Sequence, residues 1–163
     1  MRLGHLHSPV AAVGLGLVLL TACSNSERAA RDEMLAAQPL IQQGDFTGLI
    51  EHLEGLIEEY PETEAAGVAR EMIADARSSC NDLAELKLRE ALVTAIQFFA
   101  SHPRAEADLA SLTALGLATD PDITLRVVRG FQNDLSITAR HVAGDLVLIV
   151  DQTGTVTSRV PDE

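Results

Sequence analysis

The sequence predicts an α+β fold, with an N-terminal helical hairpin and a long helix packed on a C-terminal antiparallel meander of three or four strands. From residue 27 to about residue 100, apolar residues recur every three or four positions, which is typical of amphipathic helices. After Asp122 they recur at every second position, which is typical of strands with one buried face. The connections at 130–134 and 143–145 combine Gly with Asn or Asp, as hairpin turns do. Successive strands should therefore pair antiparallel.

The composition narrows the range of partners. The chain has 163 residues, a net charge of −12 and 47% hydrophobic residues, which is a globular composition. It has 24 acidic and 12 basic residues, and Lys87 is the only lysine. The sequence therefore has no basic stripe to neutralise phosphates. Trp is absent and Tyr60 is the only tyrosine, which leaves few aromatic platforms for stacking bases. Nucleic acid is therefore not an expected partner.

Residues 1–22 have the pattern of a secretory signal. A short segment containing Arg2 precedes an uninterrupted apolar run over residues 10–20. As a helix this run would span roughly 16 Å, whereas a bilayer core is about 30 Å thick. The segment is thus too short for a permanent membrane span and fits the hydrophobic region of a signal peptide.

The end of this segment, Leu20-Thr21-Ala22-Cys23, resembles the lipobox of bacterial lipoproteins. Ordinary signal cleavage prefers a small residue where Leu20 stands. The resemblance implies cleavage before Cys23, a diacylglyceryl thioether on its sulfur and acylation of the new amine, and two or more acyl chains anchor a protein stably. Ser24 stands where Asp retains enterobacterial-type lipoproteins at the inner membrane. The expected location is therefore the cell envelope, at the outer membrane, on its periplasmic face or surface.

Residues 23–30 are expected to form the lipidated cysteine and a short tether, with Ser26 as the N-cap of the first helix. That helix should run to Gln43, with a kink or an early end near Pro39, and stop at Gly44. A second helix should follow Asp45 and end at Tyr60-Pro61, because Pro disfavours helix in the residue before it. We predict a helical hairpin region over residues 31–78.

The residue pattern of this region resembles a tetratricopeptide-type helical hairpin. The residues that carry the resemblance include Gly44-Asp45-Phe46, Tyr60-Pro61 and Ala69-Arg70. The resemblance covers residues 30–78 and includes a single unit, whereas several stacked units are normally needed for stability. It implies a helix-on-helix packing that could recruit partner proteins.

A third helix is predicted from Pro61, at its first position, to Ala100, because nothing stronger than Ser78-Ser79 interrupts the pattern. Its apolar face should cover the sheet. This face comprises Leu83, Ala84, Leu86, Leu88, Ala91, Leu92, Ala95, Ile96 and Phe99. A short helix at 107–115 should end at Gly116. Strands are then predicted at 122–129, 135–140 and 146–150, with a short edge strand at 155–157.

This order of elements is similar to the globular half of type IV pilins, over residues 64–158. The segments that carry the resemblance are 88–92, 98–99, 112–117, 137–141 and 150–157. It implies a pilin-head-like domain over residues 79–158, followed by a tail at 159–163. A pilin also needs some twenty apolar residues for its filament core, but Glu51, Glu54, Glu58 and Glu59 occupy that stretch here. We therefore expect a monomer or a weak dimer.

No catalytic, cofactor-binding or metal-ligating residue is predicted. Asp120 and Asp122 flank a proline and are interpreted as a turn rather than calcium ligands. His141 and Asp145 flank a hairpin turn and are interpreted as its solvated end rather than an acid–base pair. The histidines of the mature chain have no ligand spacing; they are His52, His102 and His141.

Cys80 is the only cysteine besides Cys23, and two interpretations are open: a buried packing residue or an intermolecular disulfide. The expected function is that of a lipid-anchored envelope protein with a structural or protein-interaction role, non-enzymatic, whose partner is an unidentified envelope protein. One alternative is an accessory factor for envelope or pilus assembly that recruits partners through the helical hairpin. Another is a small periplasmic hydrolase or ligand-binding enzyme.

Overall fold

The computed structural model describes the backbone of residues 13–161 and the side chains of residues 25–161. The predicted α+β class is confirmed. The helices are α1 (Val13–Ala36), α2 (Gln38–Gln43), α3 (Phe46–Glu59), α4 (Glu64–Ser101) and α5 (Leu109–Ala114). The strands are β1 (Ile123–Phe131), β2 (Asp134–His141), β3 (Val147–Asp151) and β4 (Val156–Arg159). They form one antiparallel meander in the order β1-β2-β3-β4.

Helix α1 begins earlier than predicted. Ser26 lies inside it rather than capping it, and residues 23–30, expected as a tether, are helical. No proline interrupts the chain between residues 13 and 38, so the helix continues through this stretch. The expected break near Pro39 is confirmed, because α1 ends at Ala36 and Pro39 lies in the first turn of α2. There its missing N–H costs no helical hydrogen bond.

Helices α3 and α4 form the predicted hairpin. The Asp45 carboxylate caps α3 by accepting a hydrogen bond from Gly48 N at 2.9 Å. Helix α4 begins at Glu64 rather than at Pro61, because the Thr63 hydroxyl caps it by accepting from Ala66 N at 3.2 Å. One core lies between the two helices and α2. Its buried members are Ala37, Leu49, Ile50, Leu53, Leu56, Ala66, Ala69, Ile73 and Ala76.

Helix α4 is continuous over 38 residues, so the expected boundary between residues 78 and 79 lies inside it and both regions share the helix. Its second half covers the sheet as predicted, but the buried face is narrower than the predicted one. Leu86 and Ile96 are 67% and 59% exposed, and Leu83 is also exposed. The buried residues are Ala84, Leu88, Ala91, Thr94, Ala95, Phe98 and Phe99. A face lined with alanines lets the sheet approach the helix backbone closely, and this closeness selects it over the face with larger side chains.

The sheet follows the predicted alternation. Leu125, Ile137 and Val150 are buried against α4 in a second core. The short edge strand is present as β4, which extends to Arg159, a residue expected in the tail. A bulge between Val127 and Arg129 shifts the register of β1 against β2. Beyond this bulge, Ala107 N donates to Gly130 O at 2.8 Å, which fixes the loop before α5 on the end of β1.

One carboxylate supports the turn between β3 and β4. Asp151 Oδ1 accepts from Thr153 N at 2.8 Å, from the Thr153 hydroxyl at 2.6 Å and from Thr155 N at 3.1 Å. The hydrogen bond from the Thr153 side chain is the largest of the effects that together lower the pKa of Asp151 below its ordinary value. The charged form is therefore favoured in the folded protein.

This turn should be sensitive to acid. A lowered folded-state pKa contributes stability above the unfolded pKa of about 3.9, and this stability is lost as the pH falls through the folded pKa. We expect Asp151→Asn to melt at a lower temperature than wild type at pH 6 to 7, and the difference to shrink below about pH 4. Glu62→Gln, at a side chain with no hydrogen bond to residues 25–161, should match wild type throughout. A constant Asp151→Asn difference down to pH 2 would contradict the assignment.

Candidate functional site

The predicted lipidation site lies at the edge of what the structure describes. The backbone of Cys23 belongs to α1, but its side chain lies outside the described residues. Between residues 13 and 161, no helix combines the length and the apolar character that crossing a bilayer requires. Lipidation of Cys23 therefore stays a prediction from the lipobox.

The contacts of Glu27 place Cys23 relative to the rest of the protein. Glu27 Oε2 accepts from Glu64 N at 3.1 Å, so this part of α1 lies at the N-terminal end of α4. Arg31 joins them, at 3.3 Å from both carboxylates. Cys23 precedes Glu27 by about one helical turn. The sheet packs around Ala91, about 40 Å along α4 from Glu64 at 1.5 Å per residue. The predicted anchor and the sheet thus lie toward opposite ends of this helix.

The structure does not bring His141 and Asp145 together as an acid–base pair. His141 is 5% exposed, and its Nδ1 accepts from Ala143 N at 3.2 Å. Asp145 instead accepts from Asn81 Nδ2 at 2.7 Å, and Asn81 Oδ1 accepts from Leu146 N at 3.3 Å. Asn81 thus joins the middle of α4 to the β2–β3 turn. Because His141 is buried, its interpretation as part of a solvated hairpin end is wrong.

The other polar candidates also serve the fold. Asp122 N donates to Asp120 Oδ1 at 2.9 Å, which is a local turn. His102 follows the last residue of α4, where its ring stacks on Phe98 with 4.9 Å between centroids. His52 Nε2 lies 2.8 Å from Glu33 O and ties α3 to α1. Nowhere in the described part of the chain do three His, Cys, Asp or Glu side chains come close enough to hold a metal ion.

Cys80 is fully buried on the inner face of α4. Burial raises the pKa of its thiol, and the negative charge of Asp122 raises it further. A protonated, inaccessible thiol neither attacks a disulfide nor pairs with a partner chain. The structure therefore favours the packing role for Cys80 over an intermolecular disulfide.

One surface of the sheet was not anticipated as a site. The sheet face away from α4 carries three arginines, Arg126 on β1, Arg140 on β2 and Arg159 on β4, with threonines between them. A shallow depression of about 430 Å³ lies over this face. It is lined by Thr124, Arg126, Val128, Thr138, Ala139, Arg140, Val147, Arg159 and Pro161. We call this surface the arginine face.

Charge is distributed unevenly between this sheet and the helices. Residues 27–122 carry 19 acidic and 7 basic residues, whereas residues 123–161 carry 3 acidic and 4 basic ones. In the sequence, this surface is indicated by the polar residues that alternate with apolar ones along the strands. Thr124, Arg126 and Arg140 occupy these outward positions. The sequence alone predicts that these positions are exposed to solvent. It does not predict that their side chains lie close together, because that depends on the register between strands. The chain matches no protein-family model and has no significant match among curated proteins.

Proposed function

We propose that this chain is a lipid-anchored protein of the cell envelope, non-enzymatic, which presents its sheet domain to a partner protein at a distance from the membrane. The motif Leu20-Thr21-Ala22-Cys23 is the observation that carries the anchor. The hydrogen bond between Glu27 and the first residue of α4 supports the presentation, because the sheet packs on the second half of this helix, which is about 57 Å long.

A structural or interaction role is further supported by the hydrogen bonds of the polar side chains near the β2–β3 turn, which stabilise the fold. Asn81 and Asp145 form hydrogen bonds that join α4 to the β2–β3 turn, and His141 accepts a hydrogen bond within that turn. The order of long helix, short helix and antiparallel meander agrees with what the pilin-head resemblance implies. Glu51 and Glu58 on the exposed side of α3 disfavour a filament core, because burying unpaired carboxylates in a helix bundle costs several kcal/mol.

The second candidate is an accessory factor for envelope or pilus assembly that binds through its helices. A groove of about 430 Å³ between α1 and α4 favours it. Its apolar wall includes Met34, Leu35, Ala65 and Val68, and Leu35 and Val68 are 59% and 45% exposed. An exposed apolar groove of this kind could accept an apolar side chain from a partner.

The anchor is tested by metabolic labelling with an alkyne analogue of palmitate. We expect wild type and Cys80→Ala to incorporate the label and to sediment with membranes. Cys23→Ser should remain unlabelled and keep residues 1–22, because the thioether cannot form on serine. Cys80→Ala is the matched control, since it removes the only other thiol. The intact mass of wild type should correspond to a chain that begins at Cys23 and carries its acyl groups. Label on Cys23→Ser, or an unlabelled wild type, would contradict the proposal.

A further inference from the structure

The arginine face has the geometry of a small anion-recognition surface. Arg126 pairs with Thr138, and the neighbouring pair in the same ladder is Thr124 with Arg140. Side chains at such diagonal positions on one sheet face have roots about 7–8 Å apart. Continuing the β2–β3 register sets Arg140 beside Val147, and Val147 pairs with Arg159. Arg140 and Arg159 therefore lie in one row across three strands, about 10 Å apart at the usual strand spacing.

The two central arginines are not used by the fold. Arg77, Arg89 and Arg129 form ion pairs of 2.8, 2.6 and 2.9 Å. The side chains of Arg126 and Arg140, in contrast, form no ion pair or hydrogen bond with any residue between 25 and 161. In a chain with twice as many acidic as basic residues, such arginines have abundant potential partners. Their guanidinium groups instead remain available on the outer face of the sheet.

We propose that the arginine face binds an acidic, extended segment of a partner polypeptide. In an extended segment, every second side chain points to the same side, at intervals of about 6.8 Å. Carboxylates at these positions match the spacing of Arg126 and Arg140, and arginine pairs with carboxylates in a bidentate manner. Thr138 supplies a hydroxyl between the arginines, and Ile149, its partner on β3, supplies an apolar floor.

The charge distribution favours this occupant. The acidic helices repel an acidic segment everywhere except at the sheet, so approach is directed to the arginine face. Phospholipid headgroups of the anchoring membrane are disfavoured because the end of the sheet that carries Arg140 packs on α4 at Asn81, about 25 Å along the helix from Glu64, which contacts Glu27. A second copy is disfavoured by self-repulsion at a net charge of −12.

An acidic segment would be the partner in the proposed envelope role. This inference rests on the proposed function only for where that partner is located. Its test uses purified full-length protein in detergent, so its result does not depend on whether Cys23 is lipidated. The probe is a fluorescein-labelled octapeptide of alternating Glu and Thr, and the reversed-charge peptide alternates Lys and Thr. Affinity is measured by fluorescence anisotropy at low salt and again with 0.5 M NaCl.

The double variant Arg126→Gln/Arg140→Gln should bind the acidic peptide about tenfold more weakly than wild type, because each exposed ion pair contributes up to about fivefold. Arg28→Gln/Arg104→Gln is the matched control. It removes the same charge from two exposed arginines, neither of which pairs with a residue between 25 and 161. The control should bind within twofold of wild type, and all three proteins should have the same melting temperature. Equal weakening by both double variants, or no binding of the acidic peptide at low salt, would overturn the proposal.

The occupant is identified in cells by a photo-crosslinking amino acid at Thr138, between the two arginines, or at Val68 in the α1–α4 groove. The proposal expects cross-links from Thr138 to a peptide of another protein that is rich in Asp and Glu, and their loss in Arg126→Gln/Arg140→Gln. Cross-links from Thr138 to a lipid, a glycan or a second copy of this chain would overturn it. Partner cross-links from Val68 alone would also overturn it and would support the accessory-factor function.

Discussion

Phe99→Ala is expected to lower the free energy of unfolding by about 3–5 kcal/mol, as aromatic truncations in cores do. Phe99 is 4% exposed and belongs to the core between α4 and the sheet. Its ring also packs edge to face on Phe98, with 5.5 Å between centroids and 74° between planes. Truncation therefore removes both apolar burial and a favourable aromatic contact.

The measurement is denaturant unfolding followed by circular dichroism, with Ile96→Ala as the matched control. Ile96 lies three residues earlier on the same helix and is 59% exposed. Its truncation should change the free energy of unfolding by no more than about 0.5 kcal/mol. Similar losses for both variants would show that the outer face of α4 is also buried in solution and would contradict the packing described above.

Gly130→Ala is expected to destabilise the protein by about 3 kcal/mol. An added Cβ would clash with Ala107 O, which is a backbone atom of the loop that crosses β1. Relief requires the loop to move, and movement breaks the 2.8 Å hydrogen bond from Ala107 N to Gly130 O. Overpacking typically costs 1–3 kcal/mol, and a lost hydrogen bond adds about 1 kcal/mol.

The same substitution should have the opposite sign at Gly55. This glycine lies on the exposed side of α3, and nothing lies within 4 Å of an added Cβ. Gly55→Ala should therefore raise stability by about 0.5–1 kcal/mol through helix propensity. Thermal unfolding of both variants checks the pair. A melting temperature of Gly130→Ala at or above that of wild type would show that the loop does not approach β1 closely.

The proposed function depends on a separation that only α4 provides. The helix joins both cores, since Ala66 packs against α3 and Leu88 packs against the sheet. Because one continuous helix belongs to both, the sheet cannot move independently of the hairpin that holds α1. An anchor near the start of α4 would therefore hold the arginine face at a set distance from the point of anchoring.

The sequence by itself determined the α+β class, the break at Pro39 and the order of the strands. These features depend on interactions between residues close in the chain. A proline interrupts a helix because it lacks the N–H that a helical hydrogen bond needs. In a strand, alternate side chains point to the same face, whichever strand it pairs with. The burial of Leu125 and Ile137 followed from that period.

The tertiary structure alone decided which face of α4 meets the sheet. Apolar residues lie on most sides of this part of the helix, so their periodicity does not indicate whether Ala84 or Leu86 faces the sheet. Ala84 is buried because its small side chain lets the sheet backbone pack closely on the helix. It also decided that Arg126 and Arg140 converge, because their proximity depends on the register between β1 and β2. Register and helix orientation are long-range properties, set by which surfaces fit together after the local elements have formed.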